Sequence, residues 1–228
     1  MATWTERLYR FYKNLQPPGN LPERIEWLYP QQDEKLMSLV KQFFLKFYND
    51  SHSRTLILGI NPGRFGAGVT GVNFTASKQL QENCGITSGL KLQTELSADF
   101  IYEMIRQYGG VASFYKNFFI GSVCPLGFVK NGKNINYYDE KELAKTVEPF
   151  IIKSIKELMQ LGFKKDRCFC IGGEKNFRYL STLNERYHWF AKIIPLPHPR
   201  FIMQYRRKQL QTYINQYLLE LGQIKRPG

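Results

Sequence analysis

Two polar side chains follow apolar runs where this chain can present them to a ligand. Asn61 comes after Leu56-Ile57-Leu58-Gly59-Ile60 and leads into Pro62-Gly63-Arg64, and His198 lies in Pro195-Leu196-Pro197-His198-Pro199-Arg200. An amide can orient a water without ionising, and an imidazole can hydrogen-bond a leaving group or stabilise its negative charge. Taken alone, Asn61 reads as a turn residue bonding its own backbone, and His198 as a histidine in a stiff proline-rich loop. Their shared position changes that reading, because strands of a parallel sheet end at a common edge and ligands bind in the crevice beyond. Phe74, past a glycine-rich loop, is either ordinary core or a stacking floor for a base.

The elements that must carry these groups are read from hydrophobic periodicity. Residues 54–60, 118–123, 167–171 and 190–196 have the pattern of core strands, and 97–108, 139–161, 175–186 and 203–221 that of helices. Strands alternating with helices imply parallel β-α-β units with right-handed crossovers, hence an α/β sheet covered by helices on both faces. Residues 3–48 place Trp4, Leu8, Phe11 and Leu15, then Leu36, Val40, Phe43, Phe44 and Phe47, at helical spacing. Residues 1–50 are therefore expected to form a helical preface within one domain spanning 1–228.

The 32 Lys and Arg against 19 Asp and Glu give a net charge of +13. Aromatics make up 15% of the chain and interleave with the basic residues in Tyr115-Lys116-Asn117-Phe118 and Phe201-Ile202-Met203-Gln204-Tyr205-Arg206-Arg207-Lys208. That mixture points to nucleic acid as the partner. Cys84, Cys124, Cys168 and Cys170 lack metal-ligand spacing, the close pair lying in an apolar run, and read as reduced core thiols. No cationic, apolar leader opens the sequence and no run approaches a membrane span, so an intracellular, soluble protein is expected.

Gly66-Ala67-Gly68-Val69-Thr70-Gly71 satisfies the G-x-G-x-x-G string of dinucleotide sites. It begins six residues after the strand, is expected to open no helix, and is followed by Val72-Asn73-Phe74-Thr75, which reads as extended or looped. The fingerprint needs a tight strand-to-helix turn with pyrophosphate on the helix N-terminus, so no dinucleotide site is expected. No Gly-Lys-Ser or Gly-Lys-Thr follows the glycines, which leaves no Walker loop.

Taken as a whole, Gly59-Ile60-Asn61-Pro62-Gly63-Arg64-Phe65-Gly66 with Thr70-Gly71-Val72-Asn73-Phe74 closely resembles the first motif of the single-strand-selective monofunctional uracil-DNA glycosylases. Phe119-Ile120-Gly121-Ser122-Val123-Cys124-Pro125-Leu126 is similar to their middle motif, and Pro197-His198-Pro199-Arg200 looks like a variant of their second catalytic motif. The motifs come in family order over roughly residues 54–220. The resemblance implies a three-layer α/β fold with a four-stranded, mostly parallel sheet between helices. It also implies removal of uracil from DNA by a monomer, to leave an abasic site and initiate base excision repair, with no metal or organic cofactor. By the same resemblance Asn61 positions the attacking water, Ile60 and Gly63 contact the base and DNA, Phe74 stacks on the extruded pyrimidine, and His198 stabilises the departing uracil anion. Arg64, Arg200, Phe201, Met203 and Arg206 are the expected DNA contacts, with Arg200, Phe201 and Met203 the candidates for filling the gap left in the base stack. Phe201 and Met203 have an equal alternative as anchors of the last helix.

Two departures from the family pattern bear on the site. Ser122 stands where the family has an asparagine that reads the pyrimidine edge. A serine cannot present a separate donor and acceptor side by side, so looser base selection is expected, with deaminated purines such as xanthine or hypoxanthine entering the range. The second motif differs from His-Pro-Ser-Pro-Arg and permits two registers. His198 is favoured as the functional histidine because His52 precedes the first strand and His188 the fourth. Two rival readings remain open: an inert nucleic-acid-binding module of the same fold, and a nucleotide- or phosphate-binding enzyme using the glycine-rich loop.

Overall fold

The parallel sheet expected from the apolar runs is present in the computed structural model, which describes residues 2–223. In chain order the strands are β1 (Ile25–Leu28), β2 (Thr55–Gly59), β3 (Phe118–Ser122), β4 (Gly127–Lys130), β5 (Lys133–Ile135), β6 (Cys168–Ile171) and β7 (Ile193–Leu196). The helices are α1 (Trp4–Lys13), α2 (Glu34–Phe47), α3 (Ala67–Thr70), α4 (Ser77–Glu82), α5 (Leu96–Tyr108), α6 (Gly110–Asn117), α7 (Lys141–Gln160), α8 (Gly173–Tyr187), α9 (Pro199–Tyr205) and α10 (Leu210–Glu220). The central sheet has the order β3-β2-β6-β7, with every neighbouring pair parallel. β2, β3 and β6 are buried along their whole length, as continuous apolar strands covered on both faces must be. The register Gly59↔Ser122, Leu58↔Cys170 and Ile171↔Leu196 brings the strand ends to one edge.

Local chemistry sets the element boundaries. α1 begins in a capping box, the Thr3 hydroxyl accepting the Glu6 N–H while the Glu6 carboxylate accepts the Thr3 N–H. α8 follows β6 directly because Gly172 and Gly173, at φ 146° and 73°, turn the chain where side chains would be strained. Before β2, the fully buried Arg54 forms two 2.7 Å hydrogen bonds to Asp50 and donates through Nε to the Tyr115 carbonyl. That guanidinium holds the Asp50 carboxyl below its ordinary range.

Three expectations are corrected. The preface contains a strand, β1, which pairs antiparallel with β4 of the β4–β5 hairpin in a second sheet of order β1-β4-β5. The hairpin turn is Asn131-Gly132, with φ 49° and 71°, the two-residue geometry that an Asn-Gly pair favours. The terminal helix expected over 203–221 starts earlier and is broken. Pro199 and the His198 cap start α9, Arg206 leaves helical geometry at φ −131°, and Arg207–Gln209 make one 3₁₀ turn before α10. Finally, the glycine-rich segment does open a helix, but α3 is a single turn closed by Gly71 at φ 72° and tied by Thr70 Oγ1 to the Gly66 carbonyl.

Candidate active site

Asn61 lies two residues beyond β2, Ser122 ends β3, Gly172 follows β6, and His198 lies two residues beyond β7. All four line one cleft of about 450 Å³ at the carboxyl edge of the central sheet. The structure thus brings together residues that are far apart in sequence.

Asn61 is held by the segment that follows the hairpin. Its Oδ1 accepts the Tyr137 N–H at 3.1 Å, and its Nδ2 donates to the carbonyls of Ile135 and Pro62, each at 3.3 Å. Both amide protons are engaged, so the group offers a further partner only the remaining lone pair of Oδ1. Tyr137 is buried and is itself fixed from α8, its hydroxyl donating to Asn176 Oδ1 at 2.7 Å while Asn176 Nδ2 donates to the Ile171 carbonyl at 2.9 Å. Asn134, on the same hairpin, accepts the Arg64 N–H at 3.1 Å. These supports lie outside the motifs read in the sequence, although the Asn-Gly turn was a signal for the hairpin that carries them.

His198 caps α9, its Nδ1 accepting the Arg200 N–H at 3.1 Å. Burial, followed by the charge of Arg200, lowers the imidazole from its usual 6.5 to about 4. At neutral pH the ring is uncharged, and because Nδ1 accepts, its one proton is on Nε2. The ring lies 6.4 Å from that of Phe74, centroid to centroid. Phe74 has φ 53°, a left-handed backbone unusual for so bulky a residue, and its half-buried ring closes over Gly59. A Cβ at Gly59 would approach Phe74 Cε2 to 2.7 Å.

Ser122 is buried and donates its hydroxyl to Asn73 Oδ1 at 3.0 Å. Asn73, for which no role was expected from the sequence, also lines the cleft. Ile60 and Gly63 contribute to the same lining.

At the mouth, Arg200 and Phe201 line the cleft together with the exposed Tyr205, and the rings of Phe201 and Tyr205 are 5.6 Å apart. Arg206 lies over the Phe201 ring at 5.5 Å. Met203 is placed otherwise: it is half-buried against the core and outside the cleft lining. Arg64 also lies outside the lining, its guanidinium 4.7 Å from the Phe65 ring centroid. Among the described residues no helix is long and apolar enough to cross a membrane.

The chain is similar to known proteins in sequence and in fold. The family model of the uracil DNA glycosylase superfamily matches residues 45–222. The crystal structure of wild-type Pedobacter heparinus SMUG2 superposes with a TM-score of 0.93 at 46% sequence identity, covering 97% of each chain. No curated protein matches the sequence.

Proposed function

Since the chain belongs to the uracil DNA glycosylase superfamily, and is thereby a DNA glycosylase, we propose that it hydrolyses the N-glycosidic bond of uracil in DNA and leaves an abasic site. One observation carries this reading: an uncharged histidine with its proton on Nε2 shares a cleft with an amide whose free capacity is a single acceptor lone pair.

A uracil stacked in DNA hides its glycosidic bond, so the nucleotide must be extruded into the cleft. As the bond between C1′ and N1 breaks, its electron pair leaves with the base and the sugar takes on oxocarbenium character. His198 Nε2–H donates to the base as negative charge develops there, and being uncharged it stabilises the anion without needing to transfer its proton. Asn61 Oδ1 accepts one O–H of a water, which turns the water's lone pair toward C1′. The water oxygen adds to the sugar and loses a proton, and protonation of the departed uracil anion balances that loss. Phe74 supplies the face on which the base stacks, with Ile60 and Gly63 lining the space beside it.

The +13 charge and the group Arg200, Phe201, Tyr205 and Arg206 support DNA as the partner, with the aromatic pair filling the gap in the stack and the arginines meeting phosphate. In this reading the enzyme works as an intracellular monomer. The test is base release from uracil-containing oligonucleotides, single- and double-stranded, read as alkali-cleavable abasic sites. Release that disappears in the Asn61→Ala and His198→Ala variants is expected. Tight DNA binding with no release from either strand form refutes the proposal and leaves an inert binding module.

A further inference from the structure

The contact between Asn73 and Ser122 settles which way the serine hydroxyl faces. Asn73 Nδ2 lies 3.4 Å from the Ile120 carbonyl oxygen and 3.4 Å from the Tyr12 hydroxyl. A backbone carbonyl only accepts, so the amino end of the Asn73 amide must face it and the amide cannot be turned over. Oδ1 therefore faces Ser122 Oγ, 3.0 Å away. An amide oxygen has no proton to give, so the serine is the donor. A serine has one proton, and here Asn73 takes it.

We propose that Asn73 is a specificity-determining positioning residue, which commits the Ser122 proton and leaves the serine facing the cleft as an acceptor only. The inference rests on the glycosylase reading above and specifies its substrate class. With both amide protons of Asn73 engaged and the Ser122 proton committed, this wall of the cleft offers lone pairs alone. The base feature it takes is a protonated ring nitrogen next to a carbonyl, the lactam N–H that deamination creates from cytosine and from adenine. Uracil and the deaminated purines have that group. Cytosine and adenine carry an unprotonated ring nitrogen at the corresponding place, which sets lone pair against lone pair. Selection by this one hydroxyl, whose direction is imposed from behind, is thus for a lactam edge over the edge of cytosine or adenine; thymine and guanine also carry a lactam N–H, so their exclusion falls to other contacts of the cleft. The serine that cannot read two positions on a pyrimidine edge still reads one with a defined sign.

The experiment compares binding of oligonucleotides carrying 2′-fluoro-2′-deoxyuridine or 2′-fluoro-2′-deoxycytidine, whose fluorine slows bond cleavage. The proteins are wild type, Asn73→Leu, Ser122→Ala and the double variant. Asn73→Leu frees the Ser122 proton to turn toward the cleft, so the preference for the uracil analogue should fall at least about tenfold, the scale of one hydrogen bond offered to the wrong partner. Ser122→Ala and the double variant should show the same preference as each other, because Asn73 acts through the hydroxyl. Asn73→Ala, which adds no bulk, carries the same expectation if the leucine variant folds poorly. An equal weakening of both analogues, or an Asn73 effect that persists without the Ser122 hydroxyl, overturns the inference. Absence of uracil excision by the wild type overturns the proposed function and this inference with it, whereas normal excision with an unchanged preference overturns the inference alone.

Discussion

Replacing Asn61 with alanine tests the centre of the mechanism, and its cost follows from the contacts of the side chain. The variant loses the Oδ1 lone pair that holds the water in the proposed mechanism, a loss on the scale of a positioned catalytic group, about 10²–10⁴ in rate. That corresponds to about 3–5 kcal/mol on the barrier. It also leaves the N–H of the buried Tyr137 and the Ile135 carbonyl without the partners they have at 3.1 and 3.3 Å, which should lower stability by about 1–3 kcal/mol. The two effects separate experimentally. Single-turnover excision with enzyme in excess reads the rate, binding to abasic-site DNA reads whether the interface survives, and urea unfolding reads stability. Asn61→Asp sharpens the comparison: it keeps an acceptor for the water and for Tyr137, but sets its second oxygen against the Ile135 and Pro62 carbonyls. Its rate should fall between those of wild type and the alanine variant. If Asn61→Ala cuts within about threefold of wild type while losing stability as expected, the water is held elsewhere and Asn61 is only a clasp for the loop. If DNA binding falls by the same factor as the rate, the residue serves the interface and not the chemical step.

Four further outcomes follow from the structure. His198→Ala should slow uracil excision more than that of a base with a better leaving group, and equal losses in single-turnover rates would mark the histidine as structural. Because the folded imidazole titrates near 4 and the unfolded one near 6.5, the unfolded state binds more protons between those values. The His198 contribution to stability should therefore be complete above about pH 6.5 and decline as pH falls toward 4, a slope that unfolding curves of His198→Ala should lack. Binding to abasic-site DNA should weaken steeply with salt, and Arg200→Ala or Arg206→Ala should each make the log–log slope shallower by about one unit; a salt-insensitive affinity would contradict the assignment. Asp50→Asn should destabilise the protein by about 3 kcal/mol at pH 7 by leaving the buried Arg54 without its counter-charge. The Asp50 carboxyl is held below its ordinary range, so its contribution is present above about pH 4 and lost as pH falls through the lowered value. The gap between wild type and variant in urea unfolding should narrow accordingly.

The sheet was legible in the sequence because its signals are local. Each buried strand is an apolar run ended by glycine or proline, as in Gly59-Ile60-Asn61-Pro62, and that punctuation also marks where the strand presents its side chains. What stayed hidden depends on partners far along the chain. β1 has only four residues and finds its register on β4, about a hundred residues later. The contact between Asn73 and Ser122 spans 49 residues, and that between Asn61 and Tyr137 spans 76. Nothing in the neighbourhood of Asn73 marks it as more than a loop amide, because its role is conferred by a serine on another strand. The broken terminal helix was hidden for a different reason: residues 203–221 keep enough helix formers to read as one run, while the break at Arg206, φ −131°, lies among polar residues that carry no glycine or proline to mark it.

Gly59 and Gly172 shape the cleft by what they lack. A methyl group on Gly59 would press on the Phe74 ring, and one on Gly172 would come within 2.6 Å of Ile60 Cγ1 and 2.9 Å of Asn176. The first would displace a ring that lines the cleft; the second would push on the wall and on the residue that steadies the Asn61 loop. In the proposed function, the room beside an admitted base therefore depends on two absent side chains, one at the end of β2 and one after β6. A single carbon at position 59 would act on the cleft through the Phe74 ring alone, whereas position 172, at φ 146°, is closed to a side chain by its backbone as well as by its neighbours.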